Sequence, residues 1–295
     1  MTVVGDALVD VHVRPVAALQ PDADVPAQIR LEPGGQGANL AVRLARRGLP
    51  VRLRCTLADD AAGRWLRPSL EDEGIELDAA PADATGSVVV IIAPDGTRSM
   101  LSHRISLVPV LAPDPAPETW RVLSGYVLAE PDVAAALGPA APGSHTAVAG
   151  CALPDDARAG WLQAVTDVGA DLLVLNADEA AALVPGVVAE EGAAALSKRL
   201  GAIVVVTDRR GATVASGADV LRRDAAEAGD GTDSTGAGDA FTAGLLSVLV
   251  DAPWPPGTEV LERALDAAGR LAAAVARVPG AQGRVEDERE RGGAA

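Results

Sequence analysis

Residues Gly229 to Val248 read GDGTDSTGAGDAFTAGLLSV, a glycine-rich turn running into a row of good helix formers. Gly236, Ala237 and Gly238 are small enough to let backbone come close to a ligand. The first N–H groups of the helix that follows lack intrahelical partners. They lie at its positive end, which suits an anion such as phosphate. Asp239 stands at the mouth of that helix, where a carboxylate can take a proton from a hydroxyl. Phosphoryl transfer to an alcohol needs both parts: a cradle for charge on the phosphoryl oxygens and a base for the attacking hydroxyl. An N-capped helix behind a flexible loop gives the same local pattern, so the turn alone leaves both readings open.

Outward from this turn the chain alternates. Thr2 to Leu8 reads as a first strand, with Asp6 and Asp10 at or beyond its end. Pro15, Pro21, Pro26 and Pro33 argue against helix in the next stretch. Gly34-Gly35-Gln36-Gly37-Ala38-Asn39 then opens a helix that closes at Gly48. Val51 to Leu57 reads as a strand, and Asp59 to Glu73 as a helix in which Pro68 predicts a kink. Pro94-Asp95-Gly96 between Ser87–Ala93 and Thr97–Ser102 predicts a β-hairpin. Strands are expected at Arg121–Leu128, His145–Ala149, Asp171–Leu175 and Ala202–Thr207. Helices are expected at Pro131–Leu137, Asp155–Val168, Ala177–Val184 and Ala189–Leu200, with two long closing helices at Ala237–Val250 and Thr258–Arg277. Short, nearly all-apolar strands separated by helices indicate an α/β fold whose parallel sheet is covered on both faces.

Residues 1–285 read as one domain. The segments from about 9 to 33 and 75 to 105 have little helix to cover them and predict a small β-flap, or lid, over the sheet edge. Residues 286–295 read as a disordered tail. Val88, Val90 and Ile92 alternate with Val89 and Ile91, so both flap faces are apolar, which points to a homodimer through the flap.

With 295 residues, 48% of them hydrophobic, the chain can bury a sizeable core. Its net charge of −16 argues against nucleic acid or an anionic membrane as partner. Aromatics at 2% argue against base-stacking platforms. Lys198 is the one lysine, in no P-loop context. Cys55 and Cys151 lie far apart in apolar runs and read as buried free thiols. MTVVGDALVDV reads as a strand rather than a signal peptide, and no apolar run is long enough to span a membrane. A cytoplasmic enzyme is expected.

DSTGAGDAF, Asp233 to Phe241, resembles the C-terminal signature of the ribokinase-like, or PfkB, carbohydrate kinases. GGQGANLA, Gly34 to Ala41, resembles the N-terminal signature of the same family, with Gln36 where ribokinase-type members carry Lys. Asn176-Ala177-Asp178-Glu179 resembles its NxxE motif, and VVVTDRRGAT, Val204 to Thr213, resembles its nucleotide-binding strand and turn. There Asp208-Arg209-Arg210 replaces a more apolar run. Val278-Pro279-Gly280-Ala281 resembles the loop near adenine, APDGTRSML the lid and Ser124-Gly125-Tyr126 the central strand. These matches run in family order from Val4 to about Ala281.

The resemblance implies a three-layer α/β/α fold with a mostly parallel central sheet, and an ATP-dependent kinase acting on a sugar hydroxyl. It implies Asp239 as base and Gly236, Ala237 and Gly238 as the phosphoryl cradle. Asp10, Gly34, Gly35 and Asn39 would hold the acceptor, and Thr207, Gly211, Asp233 and Gly280 the nucleotide. Asn176 and Glu179 would support Mg2+ through water. A nucleoside kinase of the same fold remains an alternative, as does a sugar- or nucleotide-binding protein without turnover. Taken singly, several of these residues also have ordinary structural readings: Asn176 to Glu179 as a helix cap with an acidic first turn, Asp10 as a solvated loop residue, and Arg209 and Arg210 as a surface cluster.

Overall fold

In a strand, side chains point alternately to opposite faces, so a run that is apolar throughout needs cover on both sides. The computed structural model describes residues 1–107, 119–226, 234–286 and 288, and its strands behave in this way. In chain order the strands are β1 (Thr2–Val4), β2 (Leu8–Pro15), β3 (Ala27–Gly34), β4 (Arg52–Leu57), β5 (Glu76–Pro81), β6 (Gly86–Ile92), β7 (Arg98–His103), β8 (Trp120–Ser124), β9 (His145–Ala149), β10 (Leu172–Asn176), β11 (Ile203–Asp208), β12 (Gly211–Ser216) and β13 (Asp219–Asp224). The helices are α1 (Gln36–Arg46), α2 (Ala61–Glu71), α3 (Gly125–Leu128), α4 (Pro131–Leu137), α5 (Arg158–Asp167), α6 (Ala177–Leu183), α7 (Ala189–Leu200), α8 (Ala237–Leu249) and α9 (Thr258–Val275).

Among the described residues a nine-stranded sheet runs β13-β12-β11-β10-β9-β8-β1-β4-β5. It is parallel from β11 to β5, with β12 and β13 antiparallel at one edge. Val3, Val122, Leu172 and Val205 face one layer with α1, α2, α8 and α9. Val4, Leu123, Leu173 and Val206 face the other, with α3 to α7. This is the expected three-layer α/β/α arrangement, with both sheet faces dry.

β1 lies between β4 and β8, so the connections leave it in opposite directions and open a crevice at the carboxyl ends of the strands, where ligands settle in open α/β sheets. The start of α1 sits in that crevice. A Cβ on Gly5 would lie 2.6 Å from the Gly37 Cα and 2.9 Å from the Ser124 Cβ, so the approach of strand and helix requires glycine on both sides.

A second, four-stranded sheet, β3-β2-β6-β7, forms the flap, with the 94–96 turn at its tip. It is narrower in sequence than expected. β5 pairs with β4 in the large sheet, so residues 76–81 belong to the body and the second flap segment begins at β6. Two strand expectations also change. Thr2–Leu8 is broken after Val4, because Gly5, Asp6 and Ala7 turn the chain from one sheet into the other. Arg121–Leu128 ends as a strand at Ser124, where Gly125 packs its backbone against the Ala149 carbonyl and starts a helical turn. α2 continues through the exposed Pro68 as a single helix. Cys55 and Cys151 are buried and unpaired, with burial pushing both thiols up to about 12. No described helix is long and apolar enough to cross a membrane.

Candidate active site

α8 begins at Gly236, whose φ of 75° is left-handed and whose missing Cβ would otherwise lie 2.7 Å from the Ala281 Cα. Gly238 is exposed, and a Cβ there would meet nothing within 4 Å. The Gly238 and Asp239 N–H groups donate to no carbonyl among the described residues. Asp239 is half-buried behind them. Its Oδ2 accepts a 3.0 Å hydrogen bond from Asn39 Nδ2, which joins residues 200 positions apart. Burial pushes the Asp239 carboxyl up to about 7. The Asn39 hydrogen bond opposes that rise, and the negative charge of Asp6 adds to it. A carboxyl poised there is ionised often enough, and is basic enough, to accept a proton near neutrality.

Asn39 is buried, and both ends of its amide are engaged: Nδ2 by Asp239, and Oδ1 by Gln282 Nε2 at 3.0 Å. In this structure the Asn39 amide thus links Asp239 to Gln282. Gly35 caps α1 with φ 96°. Gly34 abuts the Asp10 carboxylate, where a Cβ would collide with it. Asp10 lies on β2 of the flap, close enough for its charge to raise Asp239 slightly, and its own carboxyl is pushed up to about 6, first by burial and then by Asp6 and Glu32, against Arg104 and Arg98. Gln36 does not reach towards these groups. Its Nε2 donates to the Gly150 carbonyl at 2.7 Å, and its Oε1 accepts from Ser124 Oγ at 2.6 Å and Gly125 N at 2.9 Å, stapling α1 across the ends of β8 and β9.

Thr207 and Gly211 line a cavity of about 240 Å³ beside the start of α8, walled by Ala212, Ala237, Phe241 and Ala272. The wall is mostly small and apolar, and it opens onto Gly238. Arg209 and Arg210 are exposed, as a solvated charge cluster would be. Gly280 does not line this cavity; it lies against the Glu32 carboxylate on the flap, while the adjacent Ala281 seats Gly236. Asp233 falls outside the described residues. Asn176 and Glu179 form a reciprocal capping box at the start of α6, with Asn176 Oδ1 accepting from Glu179 N at 2.8 Å and Glu179 Oε2 accepting from Asn176 N at 2.9 Å. Burial raises the Glu179 carboxyl. Its Oε1 has no hydrogen-bond partner among the described residues.

The pfkB family carbohydrate kinase profile matches residues 1–288. The chain belongs to the pfkB family of carbohydrate kinases.

A 70-residue stretch is 39% identical to the aminoimidazole riboside kinase of Salmonella typhimurium, spanning 23% of this chain and only 22% of that relative. Among solved structures, ribokinase from Thermotoga maritima aligns with TM-score 0.77 at 18% identity, covering 97% of this chain and 96% of that one. Adenosine kinase from Sinorhizobium meliloti aligns at 0.76 and 21%, covering 95% and 94%. Aminoimidazole riboside kinase from Salmonella enterica, complexed with aminoimidazole riboside and an ATP analog, aligns at 0.71 and 24%, also covering 95% and 94%. At these identities the structural likeness shows the fold.

Around this pfkB site Arg98 lies in the lid-like stretch APDGTRSML and Arg104 just beyond it, whereas Arg43, Arg47 and Glu288 carried no motif signal. Arg104, just past the end of β7, pairs with Asp6 and lies 3.5 Å over the Tyr126 ring. Arg98 of β7 donates to Thr235 Oγ1 at 3.1 Å, tying the flap to the turn before α8. Arg43, fully buried, donates to Glu288 Oε1 and to the Ala281 carbonyl, both at 2.6 Å. Arg47 reaches Ser247 Oγ at 3.1 Å. Asn39, Arg43 and Arg47 stand four residues apart on one face of α1, and that spacing was the available clue. Glu288 is itself buried, so the expected disordered tail is corrected at that residue.

Proposed function

We propose that this pfkB-family protein transfers the γ-phosphoryl group of ATP to a hydroxyl of a sugar or nucleoside, with Asp239 as the base. The observation that carries the reading is the Asn39–Asp239 hydrogen bond at 3.0 Å, which brings the two glycine-rich signatures to one point. The acceptor hydroxyl would lie between Asp10 and Asp239. Asp239 Oδ1, the oxygen left free by Asn39, would take its proton as the bond to phosphorus forms. Since a carboxyl near 7 is only moderately basic, the proton moves late, as charge passes to the leaving ADP. The N–H groups of Gly238 and Asp239 would stabilise the transferring phosphoryl oxygens, aided by the positive end of α8, while the Ala237 N–H donates to the Ser234 carbonyl at 3.2 Å.

The alanine-walled cavity beside Thr207 and Gly211 supports an adenine seat, and it opens towards those N–H groups. No group of three acidic, histidine or cysteine ligands occurs among the described residues, so no all-protein metal cage is available. One carboxylate with a free oxygen, Glu179 Oε1, fits a hydrated Mg2+ held mainly by phosphates. Such an ion supplies charge neutralisation on the phosphates. Asn176 and Glu179 would hold its waters. The unpaired thiols fit a reducing, cytoplasmic setting. Ile29, Leu31 and Leu101 are exposed on the outer face of the flap and support pairing of two copies there.

The test is ADP release by purified protein with ATP and Mg2+ against a panel of sugars and nucleosides. At least one acceptor should raise ADP release well above the background of ATP alone. Thermal stabilisation by an acceptor with no ADP release from any of them would instead indicate a binding protein without turnover.

A further inference from the structure

Asp10 and Glu32 stand directly opposite each other in the β2–β3 pairing, so their carboxylates share the flap face that looks into the cleft. His12, two residues after Asp10 on the same face, is buried. Among the described residues its Nε2 has no hydrogen-bond partner, and it lies 3.7 Å from Glu32 Oε2, a short shift away from holding that carboxylate. Across the cleft mouth Glu32 touches Gly280, next to the residue that seats Gly236. Of the cations nearby, Arg104 pairs with Asp6 and lies over the Tyr126 ring and Arg43 pairs with Glu288, while Arg98 donates to the neutral Thr235 hydroxyl and keeps its charge. Arg30, opposite His12 in the register, is exposed to solvent. The acceptor end of the cleft therefore presents hydrogen-bond acceptors and negative charge. Asp10 registers that field: its carboxyl is raised by burial and then by Asp6 and Glu32, with Arg104 and Arg98 opposing them less strongly.

Resting on the kinase reading above, we propose that Glu32, positioned by His12, acts with Asp10 as a charge filter on the acceptor: the molecule phosphorylated presents O–H or N–H donors at that end and carries no phosphate or carboxylate. An ionised carboxylate accepts hydrogen bonds and donates none. Two such groups on one face favour a polyol or an amine. A second anion brought against them meets like-charge repulsion that Arg104 and Arg98 offset only in part, since Asp6 and Glu32 act on Asp10 more strongly than either arginine does. Neutral and amino sugars and nucleosides fit this filter; sugar phosphates and sugar acids do not.

The filter is tested on the full chain with ATP and Mg2+, measuring ADP release with ribose, adenosine, glucosamine, ribose 5-phosphate and gluconate. The phosphate and the acid should show kcat/KM values about tenfold or more below those of the neutral or amino acceptors that work. Glu32→Gln should raise KM for a working acceptor more than it lowers kcat, and should narrow the gap to the anions. His12→Phe should move KM in the same direction, since a phenyl ring fills the space but cannot hold the carboxylate. A melting scan of each variant checks that it is folded. Anionic acceptors used as well as neutral ones, or a gap unchanged in folded Glu32→Gln, would overturn the filter and leave the kinase reading standing. ADP release with none of the five would remove the kinase reading and the filter with it.

Discussion

In the proposed reaction Asp239 concentrates the chemistry in one carboxyl. Asn39 holds one of its oxygens, and the enclosed site lifts its proton affinity to the neutral range. Its folded value lies above the ordinary 3.8, so the folded state binds the proton more tightly than the unfolded chain. The sign follows: the stability that this proton contributes is fully present below about pH 4, and is lost as pH rises through about 7. Asp239→Asn should therefore melt higher than the parent at pH 8, with a smaller difference or none at pH 5, as calorimetry at the two values would show. The same variant should lose about 10²–10⁴ in kcat. In the parent, kcat/KM should climb with pH through an apparent value about 7. Near-normal turnover in a folded Asp239→Asn protein would take the base role away from this residue. Asp239 itself was legible from its place behind GAG. The second use of Asn39 was not, because an amide has the same identity whether it holds a sugar or a neighbouring carboxylate.

At the level of elements, α1 is a clamp as well as a wall of the core. Leu40 and Leu44 bury one stripe against the sheet, while Asn39, Arg43 and Arg47 carry polar contacts to the end of the chain and to α8. Arg46 adds Glu73 and the Gln282 carbonyl. Through these bonds the loop from Ala281 to Gly283 is held under Gly236, and the proposed phosphoryl cradle inherits its position. A buried ion pair with one partner removed leaves an uncompensated charge, at a cost of about 3–5 kcal/mol. Glu288→Ala should lower stability by about that amount in chemical denaturation, because Arg43 is fully buried and loses its carboxylate. A change within the error of the measurement would show that Arg43 is satisfied without it. Helix α1 and its ends were readable from periodicity and Gly48, but the burial of its arginines was not. Arg43 looks like any surface arginine until the last loop folds back over it.

At the scale of the whole molecule, the flap and the body form two sheets that share one cleft. The inner face of the flap offers Asp10, His12 and Glu32 to the cleft, above a small cluster of Leu8, Val88 and Val90. The outer face exposes Ile29 at 64%, Leu31 at 60% and Leu101 at 64%, a contiguous apolar surface that isolated monomers seldom leave bare. A flap-mediated dimer follows if these residues are covered. Light scattering should then give twice the chain mass for the parent, and a single chain mass for Leu31→Glu with unchanged helical content. A parent that runs as a monomer at micromolar concentration would remove the dimer. The expectation that the flap has two apolar faces was legible because alternation over Val88 to Ile92 is apolar in both phases. Its boundary was not, because β5 carries the same mixed pattern whether it edges the large sheet or the small one.

By itself the amino-acid sequence determined the alternation of strands and helices, the covered parallel sheet and the kinship carried by GGQGAN and STGAGD in order, since these rest on local patterns and on spacing. Tertiary structure alone decided that Asn39 spends its amide on Asp239, that Gln36 staples strand ends and that Glu288 is interior. It also decided that Glu32 comes round to face Gly280. Each of these is a contact between segments far apart in the chain, and a side chain's charge, burial and free valences are set by whichever distant segment folds against it.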